Sequence, residues 1–254
     1  MTDTHLAGGL HSVRSVLKHG AGSVLEIWVE ERRRDRRIRE ILELARQAGV
    51  PVQAVPGQTL DEMLPGANHQ GVIVRTRAPS ARDGKALTAL LEGLDEPPFL
   101  LILDGVQDPH NLGACLRSAD GAGVHAVITP KDRSAGLTPV ACKVASGAAE
   151  TVPLFQVTNL ARTLKQLRDR WGVWLVGTAG EAEATLYDLD LNGPLGLVMG
   201  GEGQGMRRLT REACDHLVRL PMYGSVESLN VSVATGICLY EALRQRRLAA
   251  PARR

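Results

Sequence analysis

The amino-acid sequence predicts an α/β protein in two parts: a compact unit over residues 1–78, and a larger one from residue 99 onward whose strands form a mostly parallel sheet covered on both faces. Three observations carry that prediction. Beyond Phe99, short apolar runs alternate with helical patterns almost to the C-terminus, the order left by parallel strands joined through crossover helices. Three of those runs, ending near Leu103, Met199 and Leu220, lead straight into polar or glycine-rich turns. Residues 79–98, with prolines at both ends around one short apolar helix (87–94), break the alternation and read as an interdomain linker.

In the first unit, Leu10, Val13, Val16 and Leu17 predict a short helix over 9–17 after a start without pattern. Residues 24–29 alternate as a strand does. Ile38, Ile41, Leu42, Leu44 and Ala45 fall at helical spacing over 36–48, and Gly49 ends that helix. Strands over 50–55 and 71–76 follow, with a short helix at 60–64 between them. The second unit reads as strand 99–103, helix from about Asn111 to residue 120, strand 124–129, helix 139–148, a strand near Val152 and helix 159–171. Strands 173–177 and 195–199, helix 209–215, strand 217–220 and a last helix over 231–243 complete it. There is no internal repeat.

Hydrophobic residues make up 44% of the 254, ample for such cores. Cys115, Cys142, Cys214 and Cys238 are scattered, with no C-x-x-C pair and no histidine at metal spacing. Neither a zinc site nor a disulfide framework is expected, and a reduced cytoplasm is the expected compartment. No apolar run approaches the roughly 20 residues of a membrane span, and the N-terminus lacks a signal pattern. A net charge of +2 is too small to argue for nucleic acid by itself. Its whole excess, however, lies in residues 1–78, where ERRRDRRIRE (31–40) holds six arginines in ten. Interleaved acids four residues apart could neutralise that face, or the arginines could meet phosphates; the sequence leaves both readings open. His69, between Asn68 and Gln70, is expected to serve turn hydrogen bonding, with RNA contact as the lesser reading.

The candidate site centres on LPMYGSVESLNVSVATGICLYEAL, residues 220–243. Asn230 is a favoured N-cap residue for a helix starting at Val231. That helix carries almost no charge before Glu241 and so is expected to be buried on most sides. Ser228 and Asn230 stand beside its N-terminus, where unpaired N–H groups favour polar or anionic ligands. Taken singly, Asn111 and Asn230 are ordinary helix caps, Arg117 an exposed helix arginine and Glu202 a solvated loop acid.

Taken together they carry a resemblance. NLGACLR (111–117), MGGEGQGM (199–206) and SLNVSVA (228–234) resemble, in order and separation, the three signatures of SpoU-type RNA 2′-O-ribose methyltransferases. The likeness runs through nearly the whole chain. It implies a C-terminal α/β domain with the deep trefoil knot of the SPOUT class, over 99–254, and an N-terminal L30e-like α/β domain, over 1–78, that binds substrate RNA. Gly200, Gly201, Gly203, Gly205, Ser232 and Gly236 would suit the close crossings of a knot. Gly201 departs from the family pattern, which usually has Ala or Ser there; the extra glycine is expected to loosen the loop. The resemblance further implies S-adenosylmethionine as cofactor, held by Thr178, Gly200, Gly203, Leu220, Met222 and Leu229, with no metal.

It implies a catalytic set of Asn111, Arg117, Glu202, Ser228 and Asn230. Methyl transfer needs in-line attack, so positioning should dominate. A guanidinium is effectively always protonated, so Arg117 suits holding a phosphate or a developing oxyanion better than acting as base. Ser228 and Asn230 would fix the hydroxyl, and Glu202 would orient Arg117 or a loop amide. The implied substrate is a guanosine in the peptidyl-transferase loop of 23S ribosomal RNA, and the implied assembly is a homodimer packed through the last helix. Transfer RNA as substrate, and a non-catalytic ribosome-assembly protein, stay open as alternatives. A nicotinamide reading fits poorly, because Met206 stands where a third glycine belongs.

Overall fold

The computed structural model describes residues 4–77 and 79–249. The described chain divides into two compact units between Ser80 and Ala81, with Ala149–Thr151 grouped with the first.

The first unit has strands β1 (Thr4–Gly8), β2 (Val24–Glu30), β3 (Val52–Val55) and β4 (Val72–Arg77), and helices α1 (Leu10–His19), α2 (Arg36–Gln47) and α3 (Gly57–Met63). The sheet runs β1-β4-β2-β3, with only β2 and β3 parallel. Val13, Ile27, Ile38, Ile41, Ala45, Val72 and Val74 form its buried core. β1 went unforeseen because its five residues carry no apolar alternation; its ladder with β4, from Thr4 opposite Arg77 to Gly8 opposite Ile73, makes it a strand.

The arginine run does not neutralise itself. Asp35 caps α2 by accepting from the N–H groups of Arg37 and Ile38 at 2.9 and 3.2 Å, and pairs with Arg33. Glu40 is taken by Arg14 and Lys18 of α1. The side chains of Arg32, Arg34, Arg36, Arg37 and Arg39 are left exposed, without a hydrogen-bond or ion-pair partner among the described residues. His69 is occupied as expected: Nε2 lies 3.0 Å from Asp61, and Nδ1 accepts from the Gly71 N–H at 3.1 Å.

The second unit is built on six strands, all parallel: β5 (Phe99–Asp104), β6 (Ala126–Pro130), β7 (Leu154–Val157), β8 (Trp174–Thr178), β9 (Leu195–Gly200) and β10 (His216–Val218). Their order is β10-β8-β9-β5-β6-β7. Its helices are α4 (Gly84–Glu92), α5 (Pro109–Ala122), α6 (Pro139–Ala145), α8 (Leu160–Trp171), α9 (Arg208–Ala213) and α10 (Val231–Ala249), while α7 (Ala148–Thr151) has all but its first residue in the first unit. Every residue of β5, and all of β9 but Gly200, is buried, as parallel strands covered on both faces require. Asp104 stands opposite Gly200 in the ladder, so the two central strands deliver their loops side by side.

Three expectations need correction. The stretch 79–98 is not a linker: Leu87 and Leu91 of α4 sit in one core with Leu100, Phe155 and Leu164, and Arg82 hydrogen-bonds through its backbone to Leu154 and Gln156. The apolar positions of that helix needed a partner face and found it on the larger sheet. The helix predicted to begin at Asn111 starts at Pro109, because Asp108 accepts from the His110 N–H at 2.8 Å and proline suits the first helical position. Finally, α10 is not buried on most sides. Val231, Thr235, Cys238, Leu239 and Ala242 face inward, while Val233 and Tyr240 are 51% and 53% exposed on the opposite face.

Candidate active site

Loops at the carboxyl ends of β8, β9 and β10 enclose a cleft of about 460 Å³, the usual location for ligands in parallel sheets. Thr178, Gly200, Gly203, Leu220, Met222 and Leu229 all line it, as do Glu202, Ser228 and Asn230. From Leu220 to Leu229 the backbone makes no hydrogen bond among the described residues, so its N–H and C=O groups are free to meet a ligand. Leu229 is 36% exposed, an apolar side chain open to the cleft. Free backbone groups beside apolar walls match what a nucleoside ligand needs.

The floor is set by the glycine loop. A Cβ on Gly200 would lie under 3.0 Å from the Gly205 and Met206 backbone, and one on Gly201 equally close to the Gly105 carbonyl. Gly201 therefore does not loosen the loop; it lets two backbones touch, and its N–H donates to the Asp104 carbonyl at 2.9 Å. Gly203 and Gly205 act differently, taking left-handed φ of 80° and 66° in the turn with open space around them. A Cβ on Gly236 would make only ordinary contact, 3.6 Å from the Ser118 hydroxyl. Gly200→Ala should weaken cofactor binding by about 5- to 150-fold, since overpacking of about 1–3 kcal/mol must be relieved by opening the loop. Calorimetry with S-adenosylhomocysteine measures it, and unchanged affinity would show that the loop has slack.

A fixed chain of amides crosses the mouth of the cleft. Asn111 Nδ2 donates to Glu202 Oε1 at 2.6 Å, Asn230 Nδ2 donates to Asn111 Oδ1 at 3.1 Å, and Asn230 Oδ1 accepts from Ser232 N and Oγ at 2.9 and 2.7 Å. An ionised carboxylate only accepts, so Glu202 dictates which way Asn111 faces. Asn111 in turn dictates Asn230, whose oxygen is left to cap α10. Asn111 is thus no helix cap but a buried connector, 9% exposed at the start of α5. The second Glu202 oxygen receives the Gln107 N–H at 3.4 Å.

Arg117 stands apart. Glu202 does not orient it, it does not line the cleft, and its exposed side chain has no hydrogen-bond or ion-pair partner among the described residues. Six residues beyond Asn111, it lies well around the helix from that side chain. The structure therefore gathers four of the five expected catalytic residues and leaves Arg117 outside.

Two residues missed in the sequence complete the site. Asp104, fully buried at the end of β5, accepts from Arg207 N at 2.8 Å and Nε at 2.6 Å, and lies 2.5 Å from its second guanidinium nitrogen. This pair closes the glycine loop at its far end. The available signal was a carboxylate ending an otherwise wholly apolar strand, a placement that demands a partner. Three of the thiols stay protonated near neutrality: burial pushes Cys115 up to about 11, and Cys214 and Cys238 up to about 12.

A parallel α/β unit with a nucleoside-sized cleft at its strand ends and an amide–carboxylate chain beside it is the arrangement of a candidate enzyme site for a nucleoside-bearing ligand. The comparisons give the family. The description "SpoU rRNA Methylase family" matches residues 98–240, and "RNA 2'-O ribose methyltransferase substrate binding" matches residues 6–81; the chain belongs to the SpoU methylase family. It is 56% identical over 238 residues to the 23S rRNA (guanosine-2'-O-)-methyltransferase RlmB of Escherichia coli, covering 94% of this chain and 97% of that protein. The protein of the same name from Shewanella oneidensis is 56% identical over 239 residues, covering 94% and 96%. Among solved structures, the SpoU methyltransferase AviRb from Streptomyces viridochromogenes in complex with AdoMet superposes with a TM-score of 0.75 at 25% identity, covering 97% of this chain and 92% of that one.

Proposed function

We propose that this protein methylates the ribose 2′-hydroxyl of a guanosine in the peptidyl-transferase loop of 23S ribosomal RNA, with S-adenosylmethionine as methyl donor. The observation that carries the reading is the placing of Glu202, Ser228 and Asn230 on the rim of a cleft whose walls are free backbone and open leucine. Relatives named as 23S rRNA guanosine methyltransferases, and a solved neighbour holding AdoMet, support it. Thr178, Gly200, Gly203, Leu220, Met222 and Leu229 would hold the cofactor, which when bound supplies a methyl group activated by its sulfonium.

The chain's own residues then have one task, positioning. The Ser228 hydroxyl and the Asn230 amide direct the ribose oxygen, and Asn111 and Glu202 lock Asn230 in one orientation. The arginines at 32, 34, 36, 37 and 39 give the first unit unpaired cations for RNA phosphates. The trefoil knot belongs to the same reading, supported by backbones packed to contact at Gly200 and Gly201.

The reading includes a homodimer in a cytoplasmic setting. The outer face of α10 carries Val233 and Tyr240, and the preceding loop holds Tyr223, 97% exposed, and Val226, 60% exposed, an apolar surface suited to a second copy about a twofold axis. Such a dimer would bring Arg117 of one protomer to its partner's cleft, which accounts for an arginine left without a partner.

The test is transfer of tritium from labelled S-adenosylmethionine to 23S ribosomal RNA or to transfer RNA, followed by mapping of the modified nucleotide. Label at a 23S guanosine ribose is expected; label only in transfer RNA, or none, overturns the reading. A protein beginning at Ala81 should fold and bind cofactor yet modify ribosomal RNA poorly. Neutralising the five free arginines should make the salt dependence of RNA binding shallower by about 0.7 per lost phosphate contact, whereas an unchanged slope returns the run to a solvated surface.

A further inference from the structure

A second cleft, of about 410 Å³, opens beside the glycine loop and lies wholly within the larger unit. Its walls are Asp104 at the end of β5, Gly105 and Gln107 after it, Arg133 after β6, and the glycine loop from Gly201 to Arg207 except Gly203. Gly201, Glu202 and Gly205 line both clefts, so the loop is a partition with Glu202 on it.

Two arginines line this cleft, and they differ. Arg207 is neutralised by buried Asp104. The side chain of Arg133 is exposed, with no hydrogen-bond or ion-pair partner among the described residues. Its backbone takes a left-handed φ of 58°, a conformation in which a residue with a Cβ is strained. The neighbouring Ser134 hydroxyl oxygen is buried with no hydrogen-bond partner among the described residues. Two consecutive residues thus carry local costs. The loop is nonetheless pinned on both sides, Lys131 N donating to the Val157 carbonyl at 2.9 Å and Ala135 N to the Val106 carbonyl at 2.8 Å. Strain held in place beside a site points to what that segment presents, and here it presents one unpaired guanidinium.

We infer that this second cleft receives the acceptor nucleotide and that Arg133 binds a phosphate of that nucleotide. This rests on the proposed methyl transfer. The acceptor ribose must reach the rim formed by Glu202, Ser228 and Asn230 from outside the cofactor cleft, and the cleft across the partition is the space that adjoins Glu202. Phosphates flank a ribose on both sides, and a guanidinium binds phosphate through two parallel N–H donors. Phosphate contacts of this kind fix register while base edges carry sequence, so Arg133 is a positioning residue.

The experiment uses the full chain with Arg133→Ala, Arg133→Lys and Arg133→Gly. Arg133→Ala should raise KM for 23S ribosomal RNA about tenfold with kcat falling less than about threefold, and make the salt slope of RNA binding shallower by about 0.7. Affinity for S-adenosylhomocysteine should not change. Arg133→Lys should keep the slope, since it keeps the charge. Arg133→Gly should show the same RNA defect as the alanine variant yet melt higher than it, because glycine adopts the left-handed backbone freely. That separates RNA binding from folding. A wild-type protein that methylates 23S ribosomal RNA, with an Arg133→Ala variant matching it in KM and salt slope, overturns this inference alone. A wild-type protein that transfers no methyl group to ribosomal RNA overturns the function and takes this inference with it.

Discussion

Arg117→Ala and Asn230→Ala proteins should each lose methyl transfer by about 100–1,000-fold, the usual loss when one polar group is removed from a preorganised site, and mixing them should restore it. Asn230 belongs to the amide chain at the cleft mouth, while Arg117 of the same protomer has no side-chain partner among the described residues and does not line the cleft. If the arginine serves its neighbour's site, a heterodimer holds one site with both residues intact. Random exchange of subunits should then recover about a quarter of wild-type activity, half of the dimers being mixed with one working site each. Exchange is verified by differential tagging. Verified heterodimers that stay inactive place both residues in one protomer's chemistry and dismiss the composite site. A protein monomeric at working concentration removes the dimer altogether.

Asp104→Ala should be the most damaging single change in the scaffold of the site. The carboxylate is fully buried and receives three hydrogen bonds or ion-pair contacts from Arg207. Its loss removes the acceptor for a backbone N–H and unties the end of the glycine loop. Arg207 is 45% exposed and can turn to solvent, so the cost lies below that of a fully buried pair, about 2–3 kcal/mol. Urea unfolding should show that loss, and calorimetry should show cofactor binding abolished. Asp104→Asn, which keeps one acceptor oxygen, should fall between. If Asp104→Ala retains wild-type cofactor affinity, the contact of Gly201 with Gly105 holds the loop without help from the pair.

Most of the architecture was legible because parallel strands buried on both faces are written as continuous apolar runs, and β5 and β9 are the plainest examples. The edges were not. β1 has no apolar pattern and exists through its ladder with β4. The stretch 79–98 misled because its prolines stand outside both ends of α4, as they would around a linker, whereas the apolar face of α4 already required a surface to cover. At the site, the loops that line the cleft could be read from their residue types, since glycines, Glu202, Ser228 and Asn230 lie in short contiguous segments. The connections between those segments could not. That Asn111 joins Glu202 to Asn230, and that Asp104 holds Arg207, depends on strand order, which places β9 beside β5. Arg117 shows the opposite limit: the helix that carries it was legible, but the structure leaves its side chain outside the cleft.

The strand order also bears on how the molecule is made. β9 lies between β8 and β5, two strands that precede it in the chain, so until residues 195–200 arrive both must wait with an open edge. Asn111 gains Glu202 only then, and Asn230 later still, from partners 91 and 119 residues away. Contacts so distant form late, after the loop-closure entropy has been met. On a ribosome making this chain, the site cannot exist before the last helix has emerged. A copy that stops short of β9 is therefore unable to methylate, and carries instead an apolar strand edge that favours association with other chains.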